Sequence, residues 1–250
     1  MPRQRTSRKR TARRVATTLV VVLVLTAGVI AVDWWVRGQV ADRIQQQVEQ
    51  SLDLPSDRAT VEVAGFSVLA QLAAGRLDEV TVGIDRFEAG EVAGDLRLVA
   101  TGVPIDTTQP VDAVHVTFTT EGGSLGAVLP TGDVALADGE IRVGSTLNLL
   151  GLQVGINVGL APSAADGQLV LTPASVEANG SRTSAQELKA RFGAAADAVL
   201  QPRTVCVARW LPEDLTLTDA RVSAAGLTLT LQASDVVLSG LSRLGACPEG

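Results

Sequence analysis

The sequence predicts an α+β fold: a long, curved antiparallel sheet wrapped around helices, preceded by one N-terminal transmembrane helix. Two observations support this prediction. Apolar and polar residues alternate in many short segments, and only a few helical patterns interrupt them. The 250 residues are 46% hydrophobic but only 3% aromatic, so the apolar surface of the strands is aliphatic. An all-β sandwich would have fewer helices, and a parallel α/β fold would place a helix between most strands.

The N-terminal region predicts a basic cytoplasmic head at 1–14 and a transmembrane anchor or signal segment at 15–35. Residues Val15–Val32 carry no charge, and as a helix of about 1.5 Å per residue they would just cross a bilayer core of about 30 Å. Trp34 and Trp35 follow, where an interfacial aromatic belt would fall. The positive-inside rule then predicts a single-pass protein of the cytoplasmic membrane, with residues 36–250 exported to the periplasm or cell-wall side. Cleavage of a signal peptide, which would release a secreted protein, is the alternative.

Charge and cysteine content narrow the function classes. The net charge is −6, although seven basic residues precede the first acidic residue, Asp33, so the exported region is strongly acidic. An acidic domain argues against nucleic-acid binding, which requires positive charge on the folded surface.

Cys206 and Cys247 form an even pair in an oxidising compartment, which predicts a disulfide worth about 3–4 kcal/mol, with two separate buried thiols as the alternative.

The segment after the membrane run predicts an amphipathic helix. Its apolar residues recur every four positions and are separated by charged and amide side chains; they are Val36, Val40, Ile44, Val48 and Leu52. The helix should continue from the anchor and end before Pro55, and its apolar stripe should pack on the sheet.

Period-two alternation predicts the strands, each with one apolar and one polar face. The alternation is weak at 59–64 and clear at Val80/Val82/Ile84, Leu96/Leu98, Val114/Val116/Phe118, Ile141/Val143, Leu147/Leu149, Leu152/Val154/Ile156/Val158/Leu160, Leu169/Leu171, Leu215/Leu217 and Leu227/Leu229/Leu231. Residues 151–180 and 214–240 each read as a hairpin. Three helices are predicted at 66–74, 122–129 and 184–200, the last with a capping box formed by Ser184 and Glu187.

No motif for catalysis, metal binding or a cofactor is persuasive. Gly122–Gly126 matches the G-x-S-x-G nucleophile elbow, which would make Ser124 a nucleophile. The only histidine, His115, lies nine residues before Ser124 on the polar face of a predicted strand, so an envelope hydrolase is a remote alternative. The acidic residues at 85, 88 and 91 lack a calcium-loop pattern and indicate a solvated turn. We therefore expect a protein that is not an enzyme, with no catalytic residues, no metal and no cofactor.

The order of these elements resembles the actinobacterial LmeA-like phospholipid-binding family. The resemblance covers about residues 36 to 240 and is carried by "RIQQQVEQSL", "VAGFSVLAQLAAGRLDEVTV", "GDLRLVATGVPID" and "LPEDLTLTDARVSAAGLTLTLQASDVVL". Ser67 stands where the family commonly has Pro. The resemblance implies a tubular lipid-binding fold, in which a strongly bent sheet wraps a long helix and leaves a hydrophobic cavity. It also implies a carrier or accessory role: binding phospholipid outside the cytoplasmic membrane in support of envelope lipid or glycolipid assembly.

The same resemblance implies the site residues. The short helix at 66–74 and the next strand would line the cavity with Phe66, Leu69, Leu72, Leu77, Val80 and Val82.

Basic residues of the C-terminal third could meet anionic headgroups, with dispersed surface charges as the alternative; they are Arg182, Lys189 and Arg191. A different function also fits the pattern. The apolar face could be a filled core, and the anchored domain could dock an envelope enzyme or another protein partner.

Overall fold

The computed structural model describes residues 31–50, 55, 58–89, 92–126, 133–149, 152–178, 180–237 and 243–247. The predicted basic head and nearly all of the predicted membrane segment lie outside these residues. Within the described part of the chain, no helix is both long enough and apolar enough to span a bilayer.

The helices and strands follow one another in the predicted order. Residues 31–50 are helical and are named α1. The other helices are α2 (Val68–Ala74), α3 (Gly122–Leu125), α4 (Ala185–Phe192) and α5 (Ala194–Val199), with a 3₁₀ turn at Ala208–Trp210. The strands are β1 (Ala59–Ala64), β2 (Arg76–Ala89), β3 (Val92–Pro104), β4 (Pro110–Thr120), β5 (Val134–Ala137), β6 (Glu140–Leu149), β7 (Leu152–Ala165), β8 (Gln168–Ala178), β9 (Ser181–Ser184), β10 (Arg203–Val205), β11 (Thr216–Ser223) and β12 (Gly226–Val237).

These strands form two six-stranded antiparallel sheets. Sheet 1 has the order β1-β2-β3-β4-β12-β11, and sheet 2 has the order β10-β8-β7-β6-β5 with β9 paired to β8. Within the residues that the structure describes, one isolated antiparallel bridge, from Gly167 to Leu217, links them. The antiparallel prediction is confirmed, whereas the prediction of one continuous sheet is wrong. Alternation specifies the two faces of a strand but not which strand it pairs with. Here β12 pairs with β4, although all the strands of sheet 2 lie between them in the sequence.

Two-residue Asp-Gly turns join two of the hairpins of sheet 2. Asp138 and Gly139 connect β5 to β6, and Asp166 and Gly167 connect β7 to β8; all four residues have positive φ. This is the requirement of a type I′ turn, whose twist matches that of the flanking strands. Both hairpins predicted at 151–180 and 214–240 are confirmed, as β7–β8 and β11–β12.

Helix α1 lies along the edge strand β1 and runs antiparallel to it. Near the start of α1, the Arg37 guanidinium donates to the carbonyls of Val63 (2.7 Å) and Gly65 (2.9 Å) at the end of β1. Near the end of α1, the Glu49 carboxylate accepts from the amide of Ala59 at the start of β1 (3.5 Å). The predicted apolar stripe packs on sheet 1, as expected, through Val36, Val40, Ile44 and Val48; Leu52 lies outside the described residues.

The helices differ from the prediction at their ends. The predicted helix at 184–200 is interrupted by Gly193, whose φ of 54° and ψ of −130° end α4 and begin α5. Its capping box between Ser184 and Glu187 is confirmed. The helix predicted at 66–74 begins at Val68, because Ser67 is extended and its hydroxyl caps the amide of Ala70. The predicted disulfide between Cys206 and Cys247 is confirmed.

Candidate functional site

The apolar face of sheet 1 is continuous across all six strands. Register places one aliphatic residue from each strand in a single row, namely Val61, Val82, Leu98, Val116, Leu231 and Leu217. A parallel row contains Ala59, Ile84, Leu96, Phe118, Leu229 and Ala220. Because cross-strand neighbours on one face lie about 5 Å apart, these rows form an uninterrupted hydrocarbon surface.

Different parts of the chain cover the two halves of this face. The stripe of α1 packs on the β1–β2 half, in a cluster that includes Val80, Val82 and Ile84. The β4–β12–β11 half is covered by aliphatic residues from sheet 2 and from the C-terminal segment that follows it; they are Ala164, Leu169, Val207, Leu211 and Leu215. No covering residue is shared by these two sets.

The strip between the two covers lies on β3 and consists of Leu96, Leu98 and Val103, which we name the β3 seam. Its residues contact both apolar clusters yet remain only partly buried. Their row neighbours are more deeply buried, with Val82 8% and Val116 6% exposed. Two leucines of a central strand are therefore less deeply buried than the valines beside them, although Ala100 on the same strand is 6% exposed.

Sheet 2 contributes a second apolar surface that faces sheet 1. Its inward residues pack around Leu125, Ile141 and Leu227, and most of them are half-buried; they are Val134, Leu136, Val143, Leu160 and Leu171. Sheet 2 therefore adds a second aliphatic cluster, which meets sheet 1 at Leu227 and Leu229. The residues of this cluster that the structure describes are all aliphatic, and such a surface suits contact with hydrocarbon.

The structure places the predicted lining residues in different environments. Leu77, Val80 and Val82 are buried in the α1 cluster, and Leu72 is half-buried against it. Val82 borders the seam as the register partner of Leu98. Leu69 is half-buried, and its amide donates to Asp33 at 3.0 Å. Phe66 precedes α2 and its side chain is fully exposed. Their roles as lipid contacts stay a prediction.

Sequence reasoning missed the seam residues as candidates for ligand contact. Leu96 and Leu98 were recognised as strand positions, but their alternation is the same as that of Val114 and Val116. What distinguishes them is incomplete coverage by α1 and by the C-terminal segment. That coverage depends on elements far away in the sequence.

The basic residues proposed for headgroups are mostly paired with carboxylates. Arg182 donates to Asp138 at 2.9 Å and to the largely buried Glu140 at 2.7 Å. The hydrogen bond from Arg182 is the main reason that the pKa of Asp138 lies below its usual value. Lys189 pairs with Asp197 at 2.9 Å, while Arg191 is exposed on α4. Headgroup binding by these residues stays a prediction.

A carboxylate fastens the start of α1 to the loop before α2. Asp33 Oδ1 accepts from the Ser67 hydroxyl at 2.8 Å and from the Leu69 amide at 3.0 Å, and Arg37 lies 3.6 Å from its other oxygen. The Leu69 amide, followed by the Ser67 hydroxyl, holds the pKa of Asp33 below its ordinary value. We name these contacts the Asp33 clamp.

The residues of the nucleophile-elbow motif are not arranged for catalysis. Ser124 lies in the four-residue helix α3, and His115 is exposed on the outer face of β4. No hydrogen bond connects the two side chains, both of which the structure describes. Among the described residues, no three His, Cys, Asp or Glu side chains come together in a way that could hold a metal ion.

Comparison with known proteins connects this architecture to one family. No curated protein and no solved structure matches the chain. The family model described as LmeA-like phospholipid-binding matches residues 31–232, from the start of α1 into β12. The match includes the β3 seam and both of its covers, up to Leu215. The chain therefore belongs to the LmeA-like phospholipid-binding family.

Proposed function

We propose that this chain is a non-enzymatic phospholipid-binding protein that holds acyl chains against the β3 seam. The observation that carries the proposal is the incomplete burial of Leu96 and Leu98 at the centre of sheet 1. A core strand flanked by buried neighbours normally has its own apolar residues buried. An acyl chain lying between α1 and the C-terminal cover would complete that burial.

Hydrocarbon contact would supply the favourable part of the binding free energy. Each methylene removed from water contributes about 0.8 kcal/mol, so about eight buried methylenes contribute roughly 6 kcal/mol before the costs of ordering. The aliphatic side chains of Leu96, Leu98 and Val103 contact hydrocarbon but do not hydrogen-bond to a polar head. The headgroup would then remain near the mouth of the seam, in contact with water.

We also propose that the domain acts outside the cytoplasmic membrane and supports assembly of envelope lipids or glycolipids. The uncharged run Val15–Val32, which follows a basic head, supports attachment to the cytoplasmic membrane with positive charge inside. The disulfide between Cys206 and Cys247 supports an oxidising compartment. The lipid would be taken from, or delivered to, the membrane that holds the anchor.

Photo-crosslinking would test where the acyl chain lies. The full-length chain is reconstituted into phosphatidylcholine vesicles that contain a phosphatidylglycerol with a diazirine on its acyl chain. Illumination should label peptides of β2, β3 and β4 that surround Leu98. Residues 15–35 should be labelled as well if they cross the bilayer, which provides an internal reference.

Two matched variants make the experiment specific. Leu98→Trp fills the seam and should strongly reduce labelling of β3, whereas Arg97→Trp adds the same side chain to the outer face and should leave it unchanged. Label confined to residues 15–35 in the unmodified chain would contradict the proposal. The apolar face would then be a closed core, as in an anchored protein that docks a partner.

A further inference from the structure

An apolar patch projects from the corner of the domain where α1 begins. It consists of Val32, Trp34, Trp35 and Phe66, and we name it the aromatic corner. Trp34 and Trp35 are 76% and 67% exposed, and Phe66 is 100% exposed. A chain with only seven Phe and Trp residues and no Tyr therefore presents three of them to solvent at one corner.

The Asp33 clamp brings the two parts of the patch together. Asp33, next to Trp34, accepts from Ser67, next to Phe66. Arg37 donates to the carbonyl of Gly65, the other neighbour of Phe66. These bonds join α1 to the β1–α2 loop on both sides of Phe66. The aromatic corner is therefore a feature of the folded domain as well as the start of a helix.

We propose that the aromatic corner docks into the headgroup region of the lipid bilayer and sets the orientation of the domain on the membrane. Two observations on the chain identify the bilayer as the occupant. The uncharged run Val15–Val32 leads directly into the patch, so a membrane held by that run would meet Trp34 and Trp35 first. Trp is enriched at the membrane–water interface, and Phe is among the residues that segments lying on a membrane bury at the boundary of headgroups and acyl chains.

The clamp gives this contact a mechanical consequence. A single helix entering the membrane would hold the domain at one point and would leave it free to rotate about the axis of that helix. Because Asp33 and Arg37 bond to the loop that carries Phe66, insertion of the loop adds a second point of contact and holds the β1 end of sheet 1 toward the lipid. This inference shares with the proposed function the attachment of residues 15–32, but it does not require lipid in the β3 seam.

Depth-dependent fluorescence quenching would test contact at the loop itself. In the full-length chain, Trp34, Trp35 and Trp210 are replaced by Phe, and Phe66→Trp then supplies the only indole. The matched control is Phe192→Trp in the same background, since Phe192 is an exposed aromatic on α4. The proteins are reconstituted in phosphatidylcholine–phosphatidylglycerol vesicles that contain lipids brominated at shallow or deep acyl positions. Circular dichroism checks that both variants are folded.

Docking predicts about a twofold or greater loss of emission for Phe66→Trp with shallow bromines, and little loss for Phe192→Trp. Equal, water-like emission from both variants would overturn the inference. Adding Leu98→Phe, which narrows the seam, should leave the quenching of Phe66→Trp unchanged. Quenching that disappears with Leu98→Phe would come from a lipid within the seam and would also overturn docking. The crosslinking result at β3 is independent of these outcomes.

Discussion

Truncation of Leu98 would measure how open the β3 seam is. Leu98 and Leu231 lie in the same cross-strand row, separated by Val116, but Leu231 is 4% exposed whereas Leu98 is only partly buried. Truncation to Ala in a closed core costs about 2–5 kcal/mol, because a cavity remains where the side chain was removed. We therefore expect Leu231→Ala to lower the free energy of unfolding by about 3 kcal/mol.

Leu98→Ala should cost only about 1 kcal/mol in the lipid-free protein. Its side chain contacts the neighbouring strands on its flanks but opens on the seam, so less apolar area is lost and no enclosed cavity forms. For phospholipid binding, Leu98→Ala should have the larger effect of the two variants. Losing contact worth about 1 kcal/mol should weaken acyl-chain binding about fivefold for Leu98→Ala, while Leu231→Ala should leave affinity nearly unchanged.

Both quantities can be measured on the full-length chain in detergent. Urea unfolding followed by circular dichroism gives the difference in stability, and titration with a phosphatidylglycerol that carries a fluorescent acyl chain gives the affinity. The reasoning is refuted if Leu98→Ala costs as much stability as Leu231→Ala and binds lipid as well as the unmodified protein. Leu98 would then be an ordinary core residue.

Three further predictions follow from contacts outside the seam. Replacing Cys206 and Cys247 with Ser should lower the free energy of unfolding by about 4 kcal/mol, from the loop entropy of a 41-residue separation, and urea unfolding that is unchanged would show that the tail adds no constraint. The pKa of Asp33 is lowered in the folded protein, so the Asp33 clamp stabilises the fold above about pH 4 and loses this contribution as the pH falls further. Protection of the Leu69 amide from hydrogen exchange should therefore decrease below about pH 4. Asp33→Asn should remove this pH dependence. Arg182→Gln removes the cation that pairs with two carboxylates, so it should lower the melting temperature without changing affinity for phosphatidylglycerol, and the opposite pattern would assign Arg182 to the headgroup.

The strands could be predicted because the two faces of sheet 1 differ so strongly. Alternation such as Val114/Val116/Phe118 depends only on neighbours in the sequence, and each strongly alternating segment is a strand in the structure or, like the pair Leu215/Leu217, overlaps one. The short strand β5 was missed, although Asp138-Gly139 between two aliphatic pairs is a hairpin signal that could have revealed it. The break at Gly193 was missed because a glycine inside a helical pattern is often tolerated.

The candidate site was less predictable than the fold. The α1 stripe could be paired with a sheet from its spacing, but which strands it covers depends on tertiary packing. The resemblance implies a site within 66–82, and Leu72, Leu77, Val80 and Val82 share one apolar cluster with α1. Leu98 stands out only when the reach of α1 and of the residues near Leu211 is known. Exposure of Phe66 likewise depends on α2 beginning only at Val68, after the extended Ser67, which no periodicity indicates.

The insertion of sheet 2 into the chain of sheet 1 has a consequence for folding. Helix α1 and strands β1 to β4 are consecutive, so a chain emerging from its N-terminus can form these local pairs early. Strand β4 can complete its pairing only after β12 has been synthesised. The hydroxyls of Thr119 and Thr228 lie 3.3 Å apart in the folded sheet but are separated by 109 positions in the sequence. Such long-range pairing is slow, and until it occurs the edge of β4 and the apolar row beside it stay open to other chains. Pairing of β12 with β4, which brings Thr119 and Thr228 together, covers this edge.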